Sequence, residues 1–379
     1  MNAGIYIHIP FCRSRCSYCD FATGMYETEI AERYVLALTD EISSWPVITQ
    51  PALVDTIYFG GGTPSLLSVN QLERIFAAVH SSFHVSQDAE ITIEMNPGDA
   101  EGRRDKLAGW CSLNINRVSF GAQTFADEGL RQLGRTHTAA DIHRTFDQLR
   151  AAGFVNINFD LIAGLSGQTL AAWEDNLAKA LSLRPEHLSL YLLEVHEDTP
   201  LADQIRRGVR APADDELTAE MYRVMIDRLG SAGYDYYEIS NFCRPGYEAR
   251  HNTKYWTGAP YYGFGCSAHS YDGHRSRWSN ERDAAKYVQL VNAGESPIVE
   301  TIELTEHDAQ AESMFLGLRL MRGLDARTFT TRFGSDPREK YRDDLERFGE
   351  AGLLEVEGDL IRLTRDGALL SNEVFAAFV

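Results

Sequence analysis

Cys12, Cys16 and Cys19 place three thiols within eight residues, in the spacing C-x3-C-x2-C. Thiolates are nucleophiles and soft metal ligands, so such a group on one loop is read first as metal chemistry. Three is one short of a closed site. Structural zinc takes four ligands, usually as two separated pairs, and a fourth would have to come from a distant part of this chain. An iron–sulfur cube also normally takes four thiolates. Held by three, it keeps one iron with an open coordination position. Arg13 and Arg15 stand between the thiols, where positive charge offsets an anionic centre. The plain alternative is three unrelated cysteines on a loop. Buried cysteines are common, but packing alone seldom sets three at this spacing on an irregular segment.

Other residues with chemical reach stand at comparable places. Gly60-Gly61-Gly62-Thr63 follows a β-rich run. Glycines let backbone come close to a ligand and leave N–H groups free to bond it. Glu94 in TIEMNP, Gln123 in SFGAQTF and Asp160 in NINFDLI lie at or just past the ends of later runs, and Arg135 lies in LGRTH. Taken singly, each also reads as a group that satisfies loop backbone, caps a helix or makes a surface ion pair.

The elements that must position these residues alternate. Strand-like runs cover Ile5–Ile9, Asp55–Gly60, Glu90–Met95, Arg117–Ala122, 156–162 and 187–193. They read as near-continuous apolar strands, as parallel strands buried on both faces do. Helical periodicity lies between them. In 138–154, Ile142, Phe146 and Leu149 share a face, Thr138 with Asp141 forms a capping pair and Gly153 ends the helix. In 214–233, Leu217, Met221, Val224, Met225 and Leu229 do the same. Six βα units in series imply an α/β fold with a parallel sheet, either open and doubly wound or a partial or complete barrel. In a barrel the chemistry gathers at the C-terminal strand ends, where the thiols and polar residues above fall.

Three regions follow: 1–233 as the core, 234–299 as an irregular segment rich in Tyr, Trp, Asn, His and Gly, and 300–379 as a small α+β domain. The last is expected to hold helices over 306–322 and 336–352, then a hairpin turning at Glu357-Gly358-Asp359, a winged-helix-like arrangement. It carries 10 basic against 17 acidic residues, and the whole chain has a net charge of -19. That argues against nucleic acid and anionic membrane as partners. A length of 379 residues suits two or three domains. No apolar run reaches the length of a membrane span, and the first residues read as structure rather than a signal peptide. A cytoplasmic protein is expected, where clustered cysteines are more often metal-binding or catalytic than disulfide-bonded.

C-x3-C-x2-C with Tyr18 before the third cysteine resembles the signature of the radical SAM superfamily. The resemblance implies that Cys12, Cys16 and Cys19 hold a 4Fe-4S cluster whose open iron is chelated by the amino and carboxylate groups of S-adenosyl-L-methionine (SAM). It implies a partial (β/α)6 TIM-like barrel. Gly61, Gly62, Thr63, Glu94, Gln123, Arg135 and Asp160 would contact SAM, with Tyr6 and Tyr18 close by. A carboxylate there can accept both hydroxyls of a ribose.

Within the superfamily, YIHIPFC, FGGGTPS, IEMNP, RVSFGAQTF, LGRTH and NFDLIAGLSGQT resemble the family of oxygen-independent coproporphyrinogen III oxidase, the HemN/HemW family, over nearly the whole chain. The oxidases of that family carry a long segment before the cluster and a further cysteine after the third. Here eleven residues precede Cys12, and Asp20-Phe21 follow Cys19. Both departures match the HemW heme chaperones. His251-Asn252-Thr253-Lys254-Tyr255-Trp256 fits the HNxxYW pattern of that subgroup, which implies heme as a ligand and His251 as the leading heme residue. Imidazole is a common heme-iron ligand; Cys243, Cys266 and His269 are alternatives nearby. The expectation is therefore a protein that binds the cluster, SAM and heme and passes heme to an acceptor protein. The sequence does not name the acceptor. A weakly membrane-associated acceptor and a homodimer are both compatible with it. The rivals are coproporphyrinogen III oxidation, a radical enzyme acting on heme itself, and a nucleic-acid module.

Overall fold

The computed structural model describes residues 1–45, 53–99 and 104–379. Six parallel strands come in chain order: β1 (Ala3–Ile9), β2 (Val54–Gly61), β3 (Val85–Met95), β4 (Arg117–Gln123), β5 (Ile157–Ala163) and β6 (His187–Leu192). Each hydrogen-bonds to the next. The chain returns between them through α1 (Thr28–Ser43), α2 (Val69–Ser82), α3 (Arg104–Ser112), α4 (Ala139–Ala151) and α5 (Leu170–Leu183), and α6 (Asp215–Ser231) follows the last. The expected cap of α4 forms: Thr138 and Asp141 bond each other's backbone reciprocally.

The strands are not apolar on both faces, as their composition suggests. Their residues alternate. Ile5, Ile7, Ile9, Phe59, Ile93, Phe120, Phe159 and Leu188 are buried in one core with helix residues such as Leu38, Ile75, Leu149 and Trp173. The opposite parity (Tyr58, Glu94, Ser119, Asn158, Asp160, Ser189) lines a polar bore. Tyr, Ser and Thr fit a half-buried pleat as well as a fully buried one, which hides the alternation in the sequence.

The segment 234–299 is not a separate irregular region. It holds β7 (Asp235–Glu238), β8 (Asn241–Cys243), α7 (Arg250–Thr257), β9 (Tyr261–Phe264), β10 (His269–Tyr271), β11 (Ser276–Asn280) and α8 (Ala284–Asn292), and β12 (Ile298–Glu303) follows. These strands extend the sheet at both ends, giving the order β12-β11-β10-β9-β1-β2-β3-β4-β5-β6-β8-β7. The sheet curls without closing, a partial barrel. β9 adds a seventh parallel strand beside β1. Most of these strands have three to five residues, too few to display a period.

The C-terminal region contains α9 (Glu306–Gly317), β13 (Leu324–Asp325), α10 (Ala326–Phe333), α11 (Arg342–Glu350) and the hairpin β14 (Leu354–Glu357) and β15 (Leu360–Leu363), which form a small sheet ordered β13-β15-β14. The hairpin turns where expected, with Gly358 at φ 61°. The first helix stops five residues early, and the second is broken at Tyr341 into Pro337–Lys340 and α11. Among the described residues, no helix is long and apolar enough to cross a membrane.

Candidate functional site

The cysteine loop leaves the end of β1 and is pinned on three sides. Phe11–Cys12 pairs with Gly24–Met25. The Ser17 amide donates to the Leu133 carbonyl at 3.0 Å, and the Thr63 amide to that of Phe11 at 2.7 Å. The three thiols are half-buried and line one cavity of about 720 Å³. Burial pushes the Cys12 thiol up to about 11, against a hydrogen bond from Thr63, and burial raises Cys19 as well. A cationic centre must therefore expel protons to be bound here. Among the described residues, no three side chains converge as ligands of a single ion. A cube asks for something else: three thiolates on three separate irons. Gly62 lets the loop pack directly against the end of β2. A methyl group there would lie 2.7 Å from the Phe11 oxygen, 2.9 Å from its nitrogen and 3.0 Å from Cys12 Sγ.

Around the thiols stands a linked set of polar groups on the inner faces and ends of the strands. Gly61, at φ 110°, presses its Cα against the His8 ring, where any side chain would collide. Its amide donates to Glu94 Oε2 at 3.1 Å, and the Tyr58 hydroxyl donates to Oε1 at 2.7 Å. Burial, the largest cause, lifts Glu94 to about 7 against those bonds. Thr63 reaches Cys12 Sγ at 3.5 Å and accepts from Asn96 at 3.0 Å. Arg135 donates to Asn96 Oδ1 and, at 2.8 Å, to the Tyr18 hydroxyl. Gln123 ends β4 in the left-handed region, at φ 63° beside a register shift, a conformation a non-glycine residue adopts at a cost. Asp160 accepts from Asn158 at 2.7 Å and Ser119 at 3.5 Å, and burial raises its pKa.

Of the thirteen expected site residues, all but Tyr6 and His251 line this cavity. Tyr6 acts from behind. His8 Nε2 lies 3.1 Å from the Ala22 carbonyl, which can only accept, so Nδ1 accepts from the Tyr6 hydroxyl at 3.1 Å. The pair thereby braces the cysteine loop and the Gly61 turn together.

His251 also lies outside the cavity lining. It lies on α7, which plugs the N-terminal end of the bore, with the Arg250 and His251 amides both donating to the Glu90 carboxylate. The side chain is 1% exposed. Nδ1 bonds Thr56 Oγ1 and Nε2 bonds the Tyr255 hydroxyl, each at 2.9 Å. Neither nitrogen is free for an iron. Of the alternatives, Cys243 and Cys266 are buried, and His269 is exposed away from the cavity. Trp256 stacks under Arg319 at 4.1 Å. The neighbouring Asn252 does line the cavity, as do Tyr58, Asn96, Arg117 and Arg319. Sequence reasoning missed these. Parity would have found two: Tyr58 stands two residues before Gly60, and Asn96 two after Glu94.

Residues 6–180 match the model of the radical SAM superfamily, and residues 304–370 that of the HemN C-terminal domain. The chain is 36% identical to the heme chaperone HemW of Bacillus subtilis (strain 168), over 99% of this chain and 98% of that protein. It is 35% identical to the heme chaperone HemW of Escherichia coli (strain K12), over 75% of each. Among solved structures, coproporphyrinogen III oxidase (HemN) from Escherichia coli, a radical SAM enzyme, superposes with a TM-score of 0.86 at 25% identity, covering 100% of this chain and 90% of that one.

Proposed function

The chain belongs to the HemW family of the radical SAM superfamily, and from that premise we propose that it binds heme and passes it to an acceptor protein. The observation that carries the reading is the full-length likeness to heme chaperones, joined to a cavity with the thiols at its mouth and the HNxxYW helix as its floor. In this reading Cys12, Cys16 and Cys19 hold a 4Fe-4S cluster. Tyr18, Gly61, Gly62, Thr63, Glu94, Gln123, Arg135 and Asp160 bind SAM at the open iron. The residues fit these groups: the thiols share one cavity, Gly62 lets the cysteine loop close against the end of β2, and Arg135 Nε is buried without a partner. Bound, the cluster supplies one-electron reduction. The protein's own part is to hold, orient and dehydrate. His251 and Tyr6 brace the site from outside it. The working place is the cytoplasm, and the acceptor is a protein.

A second reading has its own support in the superposition on coproporphyrinogen III oxidase over the whole chain. Asp20-Phe21 after Cys19 speaks against it, because the oxidases carry a further cysteine there. One experiment separates the two. Cluster-reconstituted protein is titrated anaerobically with heme, and parallel samples are assayed for 5′-deoxyadenosine and porphyrin products. Saturation near one heme per chain with heme left intact is expected. Turnover of coproporphyrinogen III without stoichiometric heme binding would restore the oxidase.

A further inference from the structure

The bore holds a charge that the site above does not use. Arg117 opens β4 on its inner side and lines the cavity two residues deeper than Ser119. It is 1% exposed. Among the described residues, its Nε has no hydrogen-bond partner and no carboxylate forms an ion pair with it. Arginine cannot escape burial by losing its proton. A buried cation without a partner is strongly unfavourable, so its retention in the wall of a cavity points to a ligand.

The groups that feel its field surround it: Tyr58 from β2, Glu94 from β3, Asp160 from β5, His187 from β6, Tyr237 from β7 and His251 from α7. The two acids are engaged elsewhere. Glu94 takes Tyr58 and Gly61, and Asp160 takes Asn158 and Ser119. The others are neutral. His187 is bonded at both nitrogens, to Asn158 and Tyr237. Farther along the same cavity are Asn252 and a second guanidinium, Arg319, which lies 3.7 Å from Glu238. Beside the two bonded carboxylates of Glu94 and Asp160, the deep end presents two guanidinium groups and neutral donors.

We propose that the deep end of the bore is a carboxylate-binding subsite, in which Arg117 receives a propionate of the tetrapyrrole. A planar guanidinium matches a carboxylate with two parallel N–H···O bonds, and porphyrin side chains end in such groups. The assignment rests on the heme reading above. The amino-acid carboxylate of SAM has the same chemistry and is the competing source.

The test uses the full chain with its cluster. Hemin and hemin dimethyl ester are titrated into the parent, Arg117→Met and Arg117→Lys, SAM affinity is measured on each, and thermal unfolding is followed on the apoproteins. The parent should prefer the free acid at least tenfold. Arg117→Met should erase that preference by weakening the acid alone, and Arg117→Lys should keep part of it. The Arg117→Met apoprotein should melt no lower than the parent, because an unpaired charge has been removed. A lower melting temperature would make Arg117 a structural cation and overturn the proposal. Tenfold weaker SAM with unchanged hemin preference would give the carboxylate to SAM and also overturn it. If the parent binds acid and ester equally, the subsite fails while the heme reading stands. If it binds neither, both fail.

Discussion

His251 gives the sharpest separation between a floor residue and an iron ligand. Its imidazole is sealed between Thr56 and Tyr255, and burial, aided by Lys254 and Arg117, lowers its pKa to about 3. The unfolded chain takes a proton on this residue near pH 6.5. The folded state therefore binds fewer protons than the unfolded state between the two values. Its stability contribution is complete above pH 6.5 and is lost as pH falls toward the folded value. Linkage gives a loss of about 2 kcal/mol between pH 7.5 and 5 from this one residue. His8, His137 and His187 are depressed in the same direction, so the parent falls further than that. The difference between parent and His251→Gln isolates the single contribution. Gln can bond both Thr56 and Tyr255 but cannot charge.

The assay is urea unfolding of the apoprotein at pH 7.5 and pH 5. His251→Gln should lose about 2 kcal/mol less than the parent between these values. His251→Ala should be weaker at both, by about 2–4 kcal/mol, since it opens a cavity and orphans two hydroxyls. On heme loading, His251→Gln should keep the parental Soret position and spin state, because no nitrogen of His251 faces the cavity. Equal pH losses in parent and His251→Gln would refute the sealed, neutral imidazole. A shift from low to high spin in His251→Gln would refute the floor role.

Three further outcomes follow from the same geometry. Gly62→Ala should cut iron retained after reconstitution several-fold, because the added carbon meets Phe11 backbone and Cys12 Sγ rather than a movable side chain; iron and sulfide analysis reads this. At position 123, with φ 63°, Val should be less stable than Gly by about 2 kcal/mol in chemical unfolding of the apoprotein, while both weaken SAM. SAM carries positive charge, which favours ionised Glu94. Its affinity should rise about tenfold from pH 6 to pH 8 as a carboxyl near 7 ionises, and Glu94→Gln should flatten that rise; equilibrium binding across pH reads it.

What the sequence made legible was local. Each of the six βα units announces itself locally, and Cys12, Glu94 and Gln123 fall at strand ends that apolar runs mark, whereas Asp160 lies in the middle of β5. What it hid was set by distance. His251 finds Thr56 across 195 residues, so nothing beside it in sequence tells a sealed imidazole from an open one. Arg117 begins an apolar run and reads as the polar edge of a strand, yet the curl of the sheet turns it inward. The short strands of 234–299 take their order from β1 and β6, their partners at the two ends of the sheet, and not from a period of their own.

The C-terminal domain illustrates why a module cannot be read apart from its seat. Alone, helices and a hairpin suggest a nucleic-acid reader. In place, the domain is a wall. It joins the sheet edge by backbone bonds, Ile239 to the Arg319 carbonyl at 3.2 Å and Met321 to that of Tyr237 at 3.0 Å, beside a Glu238–Leu320 bridge. Met314 and Leu318 are fully buried in the common core. Exposed pairs across the same seam, Arg365 with Asp227 and Arg223 with Asp366, add little, since solvent screens them. Arg319, Leu369, Ser371 and Asn372 then face the cavity that the thiols face from the other end. The partial barrel leaves one side open, and this domain closes part of it. A ligand too large for the bore of a closed barrel therefore has a flank to occupy, one whose lining comes from the C-terminal domain and not from the strands.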